Sequence, residues 1–157
     1  MTDRELLRHA IATLAYRVAK TMRGAPEGFA EFLVAPGSNT PRTLVAHIGD
    51  LFDWALCLAE GRHEWHNSST LSWEAGSARF FTALEAFDRR LASGSPLGFS
   101  AEELFQGPVA DALTHVGQIA MLRRMAGCPI RGENYFKARI AAGRAGADQP
   151  APVVEFD

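Results

Sequence analysis

The sequence predicts an all-α protein, an up-and-down four-helix bundle with short extra helices in its connections. Three observations carry this. Apolar residues recur at three- and four-residue spacing in four long stretches. Clusters of Gly, Pro and Ser separate those stretches, and no period-two alternation persists anywhere. Helices of this length joined by connections of this length favour antiparallel neighbours.

The first helix is expected to start at Thr2 or Asp3, either of which can cap, and to run to about Met22. Leu6, Leu7, Ile11, Leu14, Val18 and Met22 keep helical spacing, and Gly24-Ala25-Pro26 ends the run. Phe29 to Val34 predicts a short turn of helix before the Pro36-Gly37-Ser38-Asn39 loop. The second main helix has Thr40 as its cap and Pro41 at its first position. Leu44, Ile48, Leu51, Phe52, Ala55 and Leu58 form its apolar face, and Gly61 stops it. His63 to Ser72 is a connection rich in His, Trp and Ser.

A third helix is expected from Ser72 to Ala92, with Ala78, Phe80, Phe81, Leu84, Phe87 and Leu91 towards the core. Ser93-Gly94-Ser95-Pro96 closes it. Phe99 to Gln106 predicts one more turn, because Ser100 and Glu103 are spaced as a capping box. The fourth main helix is expected to begin at Gly107-Pro108 and to end at Gly127-Cys128-Pro129. Asn134 to Ala142 predicts a short final helix, and Gly143 to Asp157 an extended tail over the surface.

A chain of 157 residues fits one domain, spanning 1–157, with a core of ordinary size. The net charge is -2, from 16 basic and 18 acidic residues, and the basic residues are scattered. That balance gives no electrostatic reason for nucleic acid or an anionic membrane as partner. Met1 to Glu5 is polar and unlike an export signal, and no apolar run approaches the ~20 residues that cross a bilayer. The expected location is the cytoplasm, with Cys57 and Cys128 as reduced thiols.

Two helices carry polar groups on apolar stripes. On the second, Leu44, His47, Leu51, Trp54 and Leu58 follow one face. On the fourth, Asp111, His115, Gln118, Leu122 and Met125 do the same. Asp111 and His115 are one turn apart and share a face. A buried carboxylate without a partner is costly, and a cation shared with His115 and with a His of the facing helix relieves that cost. Two imidazoles and one carboxylate suit Zn²⁺, Ni²⁺ or Fe²⁺, and three protein ligands leave a position open for water or substrate. The bland alternatives remain open on spacing alone. His47 is then a core histidine with one hydrogen bond, and Asp111–His115 a helix pair. Gln118 either holds the second nitrogen of a ligating histidine or lines a core edge.

Other candidates lie in the connections. His63, Glu64, Trp65 and His66 predict a rim over one mouth of the fold, with His63 and Trp65 as substrate contacts; the alternative is polar loop decoration. Glu133 is a candidate acid-base group folding back towards the metal, with Tyr135 beside it as a substrate contact. The alternative is a helix start capped by Asn134. Trp54 and Trp73 are read as core filling. No phosphate-binding Gly loop, nucleophile elbow or paired-cysteine metal motif is present.

The segment Thr40-Pro41-Arg42-Thr43-Leu44-Val45-Ala46-His47-Ile48-Gly49-Asp50-Leu51 resembles the second-helix motif of the DinB family, with its single metal-binding His. The segment from Asp111 through His115-Val116-Gly117-Gln118-Ile119 to Arg123 and Gly127 resembles that family's later motif. There a His, three residues and a second His precede Gly-Gln, an apolar residue, and downstream an Arg and a Gly. The resemblance covers nearly the whole chain in helix order. It implies an up-and-down four-helix bundle, often a homodimer, holding a divalent metal ion (Zn, Ni, Fe or Mn) through His47 and His115. Asp111 stands where the family usually has its other His. A two-His-one-carboxylate set favours Fe²⁺, Mn²⁺ or Zn²⁺, and the same departure fits a weakened or lost site. The resemblance further implies a metal-dependent enzyme, similar to thiol-dependent transferases or isomerases or to a hydrolase, acting on a small-molecule substrate. Its cosubstrate would be a low-molecular-weight thiol such as mycothiol, bacillithiol or glutathione, made a thiolate by the metal. The rival reading is a non-catalytic, dimeric, stress-linked bundle that binds a small ligand or partner, with the metal absent or structural. A third is a heteromeric subunit whose apolar surface another chain covers.

Overall fold

Local chemistry sets the helix boundaries. The computed structural model describes residues 1–156, so Asp157, the last residue of the expected tail, lies outside the described residues. Helix α1 spans Asp3–Met22 and opens on a capping box, in which Thr2 Oγ1 accepts from the Glu5 amide and Glu5 accepts from the Thr2 amide. Helix α2 spans Pro41–Ala59, with Thr40 capping the Thr43 amide and Pro41 where its missing N–H costs nothing. Helix α3 spans Trp73–Ala92 and is capped by Ser72. Helix α4 is one turn, Ala101–Leu104, with the expected Ser100–Glu103 capping box. Helix α5 spans Ala110–Met125. The protein is therefore mostly helical, with four long helices.

The apolar stripes bury as their spacing requires. Leu7, Ile11, Leu14 and Val18 of α1 are buried, as are Leu44, Ile48, Leu51, Phe52, Ala55 and Leu58 of α2. Helix α2 packs most extensively on α3, α1 lies against α3 and α5, and α5 also touches α2. Phe52 sits at the centre, with the Phe80 and Phe87 rings 5.8 and 5.9 Å from its own.

The structure corrects several expectations. Leu6 is 57 % exposed despite its helical spacing. Ala78 is exposed, because it lies about 160° around α3 from Phe80. The fourth long helix does not restart at Gly107-Pro108. The chain runs on from α4 through a π-helical segment, Phe105–Val109, into α5, and this wider turn absorbs Pro108 inside the helix. Only a 3-10 turn at Phe29–Glu31 forms in the following piece, where Phe29 is buried and Leu33 and Val34 are exposed. The expected helix from Asn134 to Ala142 shrinks to a 3-10 turn, Tyr135–Lys137, capped by Asn134. Phe136 there is 92 % exposed, so a longer helix would have no apolar face to bury.

The tail also departs from a featureless extended segment. Strands β1 (Gly132–Glu133) and β2 (Glu155–Phe156) pair antiparallel, and on the way Ala145 and Gln149 are buried. Gly132 lets the two strands approach closely, since a Cβ there would lie 2.5 Å from the Phe156 ring and the ring would have to move.

Charged staples join the elements. Arg8 holds Asp88 through two hydrogen bonds of 2.9 and 3.0 Å, tying α1 to α3. Arg123 is buried and donates to the carbonyls of Cys128, Thr21, Arg23 and Gly24, which closes the end of α1 against the end of α5. Glu133 is buried too, accepting from Tyr16 at 2.6 Å and from Lys20 at 2.7 Å, and Lys20 also reaches Glu155 of β2. Burial first, and then the hydrogen bond to Glu133, raises the Tyr16 phenol above its ordinary value. Burial disfavours the Lys20 ammonium, but its bonds to Glu133 and Glu155 outweigh that and raise it overall.

Two predictions follow from these staples. Replacing Arg123 by Met leaves the buried Thr21 carbonyl and three partly buried ones without this donor, and we expect a loss of about 2–4 kcal/mol in denaturant unfolding. A loss within experimental error of zero would show that water replaces the guanidinium. The second concerns pH. Tyr16 and Lys20 hold their protons more tightly folded than unfolded, so their contribution is complete below the unfolded values of about 10. It declines as pH rises through the raised folded values. Tyr16→Phe removes the phenol's share, so its melting temperature should fall less steeply than the parent's above about pH 10; equal slopes would contradict the Tyr16–Glu133 coupling.

Candidate metal centre

The contact between α2 and α5 sets three side chains facing one another. His47 comes from the second turn of α2, and Asp111 and His115 from the first turns of α5, just after the π segment. Among the described residues, one ligand atom from each lies within 4.8 Å of the others. His115 Nε2 is 3.3 Å from one Asp111 oxygen, and His47 Nε2 is 3.7 Å from the other. The two imidazoles meet edge to face, with centroids 4.7 Å apart.

These separations favour one chemistry. A good hydrogen bond from an imidazole to a carboxylate is no longer than about 3.2 Å, so neither contact is a strong one. Donors around a tetrahedral cation, at bonds of about 2.0–2.2 Å, stand about 3.3–3.5 Å apart. The His115–Asp111 separation of 3.3 Å matches that spacing, the His47–Asp111 separation of 3.7 Å is wider, and the three ligand atoms together lie within 4.8 Å of one another. The His115 Nδ1 lies 2.8 Å from Gln118 Oε1. An amide oxygen accepts, so this contact places a proton on Nδ1, and in the neutral imidazole that leaves Nε2 as the nitrogen that could ligate a cation beside Asp111. Gln118 thus does for His115 what an outer carboxylate or carbonyl does for a ligating histidine elsewhere.

The site is open on one side. The side chain of His115 is 17 % exposed, that of His47 37 % and that of Asp111 47 %. The expectation that Asp111 is a buried carboxylate in need of relief is therefore corrected. It lies where the seam meets solvent, and burial does not compel it to hold a cation. A hollow of about 280 Å³, lined by Asn39, Leu44, Gln118, Met121 and Leu122, continues along the same seam from Gln118.

Aromatic rings cover the flank of His47. The Trp65 ring lies 5.7 Å from His47 and 5.8 Å from Trp54, and its Nε1–H donates to Asn67. Trp54 in turn stacks on His63 at 5.6 Å, and His63 meets Phe99 at 6.2 Å. His63 and Trp65 thus stand together beside the site, Trp65 directly and His63 through Trp54. Trp54 is partly buried, so it packs against the core, as expected, and also forms this wall. Its Nε1 is a buried donor with no acceptor among the described residues. His66 points away, with a side chain 79 % exposed.

Glu133 and Tyr135 belong to another region. Both Glu133 oxygens are held by Tyr16 and Lys20. Tyr135 stacks beneath Arg17 at 3.9 Å and lines a groove with Thr13, Leu113, Val116 and Gly117. On α5 those positions lie about half a turn round from Asp111, His115 and Gln118, so the helix itself stands between the two regions. The expected fold-back of Glu133 towards the metal is not what the structure shows, because the strand pairing with β2 carries it to α1 instead. Cys57 and Cys128 are free thiols.

Sequence reasoning missed the group that pins the loop beside His47. Arg79 of α3 reaches Asp50, Asp53, Ser68 and the Ala46 carbonyl. Burial disfavours its charge, yet its hydrogen bonds to Asp50 and Asp53 hold its pKa above the ordinary value. The one local signal was Gly49, a helix-weakening residue in the middle of α2.

The Gln118 contact yields a prediction. Gln118→Leu should lower metal affinity by roughly 10–100-fold while leaving one ion bound at saturation. Competition against a chromophoric chelator measures it, and an unchanged affinity would show that Gln118 does not set the His115 tautomer.

Comparison of the chain with models of known protein families, with curated proteins and with solved structures finds no match.

Proposed function

We propose that the chain is a divalent-metal enzyme of the DinB kind, an up-and-down four-helix bundle in which His47, Asp111 and His115 hold one cation. The observation that supports this most is the convergence of two imidazole nitrogens and a carboxylate within 4.8 Å, with one imidazole oriented by Gln118. The donor set fits such an ion. Two neutral imidazoles and one carboxylate carry a single negative charge, so a dication there keeps a net positive charge and remains an effective Lewis acid. Held by His47, Asp111 and His115, such an ion would supply acidification of a bound water or thiol.

The protein's own groups do the rest. Gln118 keeps the His115 lone pair aimed at the ion. The half-exposed side of Asp111 gives a small molecule its approach. The hollow beside Gln118, with Leu44, Met121 and Leu122 as walls, accepts an apolar portion of that molecule. A low-molecular-weight thiol is the cosubstrate we favour, with a small electrophile as its partner, and the resemblance of the two motifs is the support for that choice.

The test is elemental analysis of untagged protein beside His115→Ala. We expect about one equivalent of metal per chain in the parent and none in the variant, with both folded by circular dichroism. Absence of uptake from Zn²⁺, Ni²⁺, Mn²⁺ and anaerobic Fe²⁺ would overturn the reading. The thiol step is tested separately, by thiol consumption with an added electrophile. Loss of turnover in His47→Ala supports it, and an equal rate in that variant contradicts it.

A further inference from the structure

The connection between α2 and α3 is pinned next to the candidate metal centre by the buried Asp50 and the partly buried Arg79. Arg79 Nη1 donates to Ser68 Oγ at 2.9 Å and to the Ala46 carbonyl at 3.3 Å. Its Nη2 donates to Asp50 Oδ1 at 2.7 Å and to the Asp53 carboxylate. The second oxygen of Asp50 accepts the Ser68 amide at 3.2 Å. Ser68 is thus held twice, once through its side chain and once through its backbone. Ala46 and Asp50 bracket His47 on α2, one residue before it and three after.

Two features are more than α2–α3 pairing needs. The Asp50 side chain is only 6 % exposed, whereas the exposed Asp53 alone would give Arg79 an ion-pair partner. Gly49 weakens the middle of α2, and a Cβ there would lie 2.7 Å from Arg79 Nη1, so a side chain at this position would displace the guanidinium from its present seat. Both features serve the reach of Arg79 and Asp50 to Ser68. The segment so anchored has no secondary structure, and its residues from Arg62 to Asn67 are exposed. It nevertheless keeps Trp65 against His47.

We propose that Asp50 and Arg79 are positioning residues of the metal centre. Through Ser68 they hold Trp65 beside His47, and Trp65 limits which molecules join the cation. This rests on the metal reading above.

The test uses the Co²⁺-loaded full chain, with azide as the added ligand followed by visible absorption. Hydrogen exchange over residues 62–72 is measured with and without metal. Arg79→Gln is compared with Ser68→Ala, which removes one link with little risk to the fold. The control is Arg90→Gln, another α3 arginine, which holds the Ala59 and Pro96 carbonyls instead. We expect faster loop exchange in Arg79→Gln and Ser68→Ala, and azide affinity raised roughly tenfold in Arg79→Gln if the open loop goes from a tenth to nearly all of the population. Arg90→Gln should change neither. Trp65→Ala should raise azide affinity by itself, and adding Arg79→Gln to it should raise it no further.

Unchanged loop exchange in both Arg79→Gln and Ser68→Ala would overturn the tether. A loosened loop with unchanged azide affinity, or full additivity with Trp65→Ala, would overturn its control of the metal. Failure of the parent to take up Co²⁺ would overturn the metal reading, and the control of ligand entry with it, while the exchange data would still decide the tether.

Discussion

The seam of phenylalanines between α2 and α3 is the constraint on which the rest of the structure depends. Phe52, Phe80 and Phe87 are fully buried and in ring contact, and each large ring removed from water contributes about 2–3 kcal/mol. This seam fixes α2, and α2 carries His47 on the side that meets α5. With α2 held from one flank, its other flank is free to present polar groups without loss of the core. The arginine staples act on this frame rather than create it. Arg8 and Arg123 tie α1 to α3 and to the end of α5, so α5 meets α2 at a settled register.

The structure spends its buried charges unevenly. Lys20, Glu133, Asp50 and Arg123 are buried, and each is matched by partners within hydrogen-bond distance. Asp111, by contrast, is half exposed and meets its neighbours only at 3.3 and 3.7 Å. One ligand atom from each of His47, Asp111 and His115 nevertheless lies within 4.8 Å of the others, a grouping compatible with a bound cation.

What the sequence made legible was local or periodic. Thr40-Pro41 and Ser100–Glu103 announce helix starts because a cap is decided within four residues. Helical spacing put Asp111 and His115 on one face of α5 and His47 on a stripe of α2 but left their meeting open, and Asp111 proves half exposed rather than inward. What was hidden depends on distant partners. Glu133 looked like a loop acid, but its fate is decided by Tyr16, 117 residues away, and by a strand pairing with Glu155 that no alternation signals. Nothing near Arg79 in the sequence singles it out, and its partners Asp50 and Ser68 lie 29 and 11 residues away. The π segment was hidden for another reason. Gly107-Pro108 carries the usual signature of a helix start, yet the helix runs through it as a π segment that packs against α1 and α2.

The account stands on the identity of the atoms around the cation, and X-ray absorption at the zinc edge of the loaded protein reads them directly. Two imidazole shells near 2.0 Å with further oxygen or nitrogen and no sulfur are the expected result. A sulfur scatterer at about 2.3 Å would place Cys57 or Cys128 at the metal and contradict the centre described for His47, Asp111 and His115.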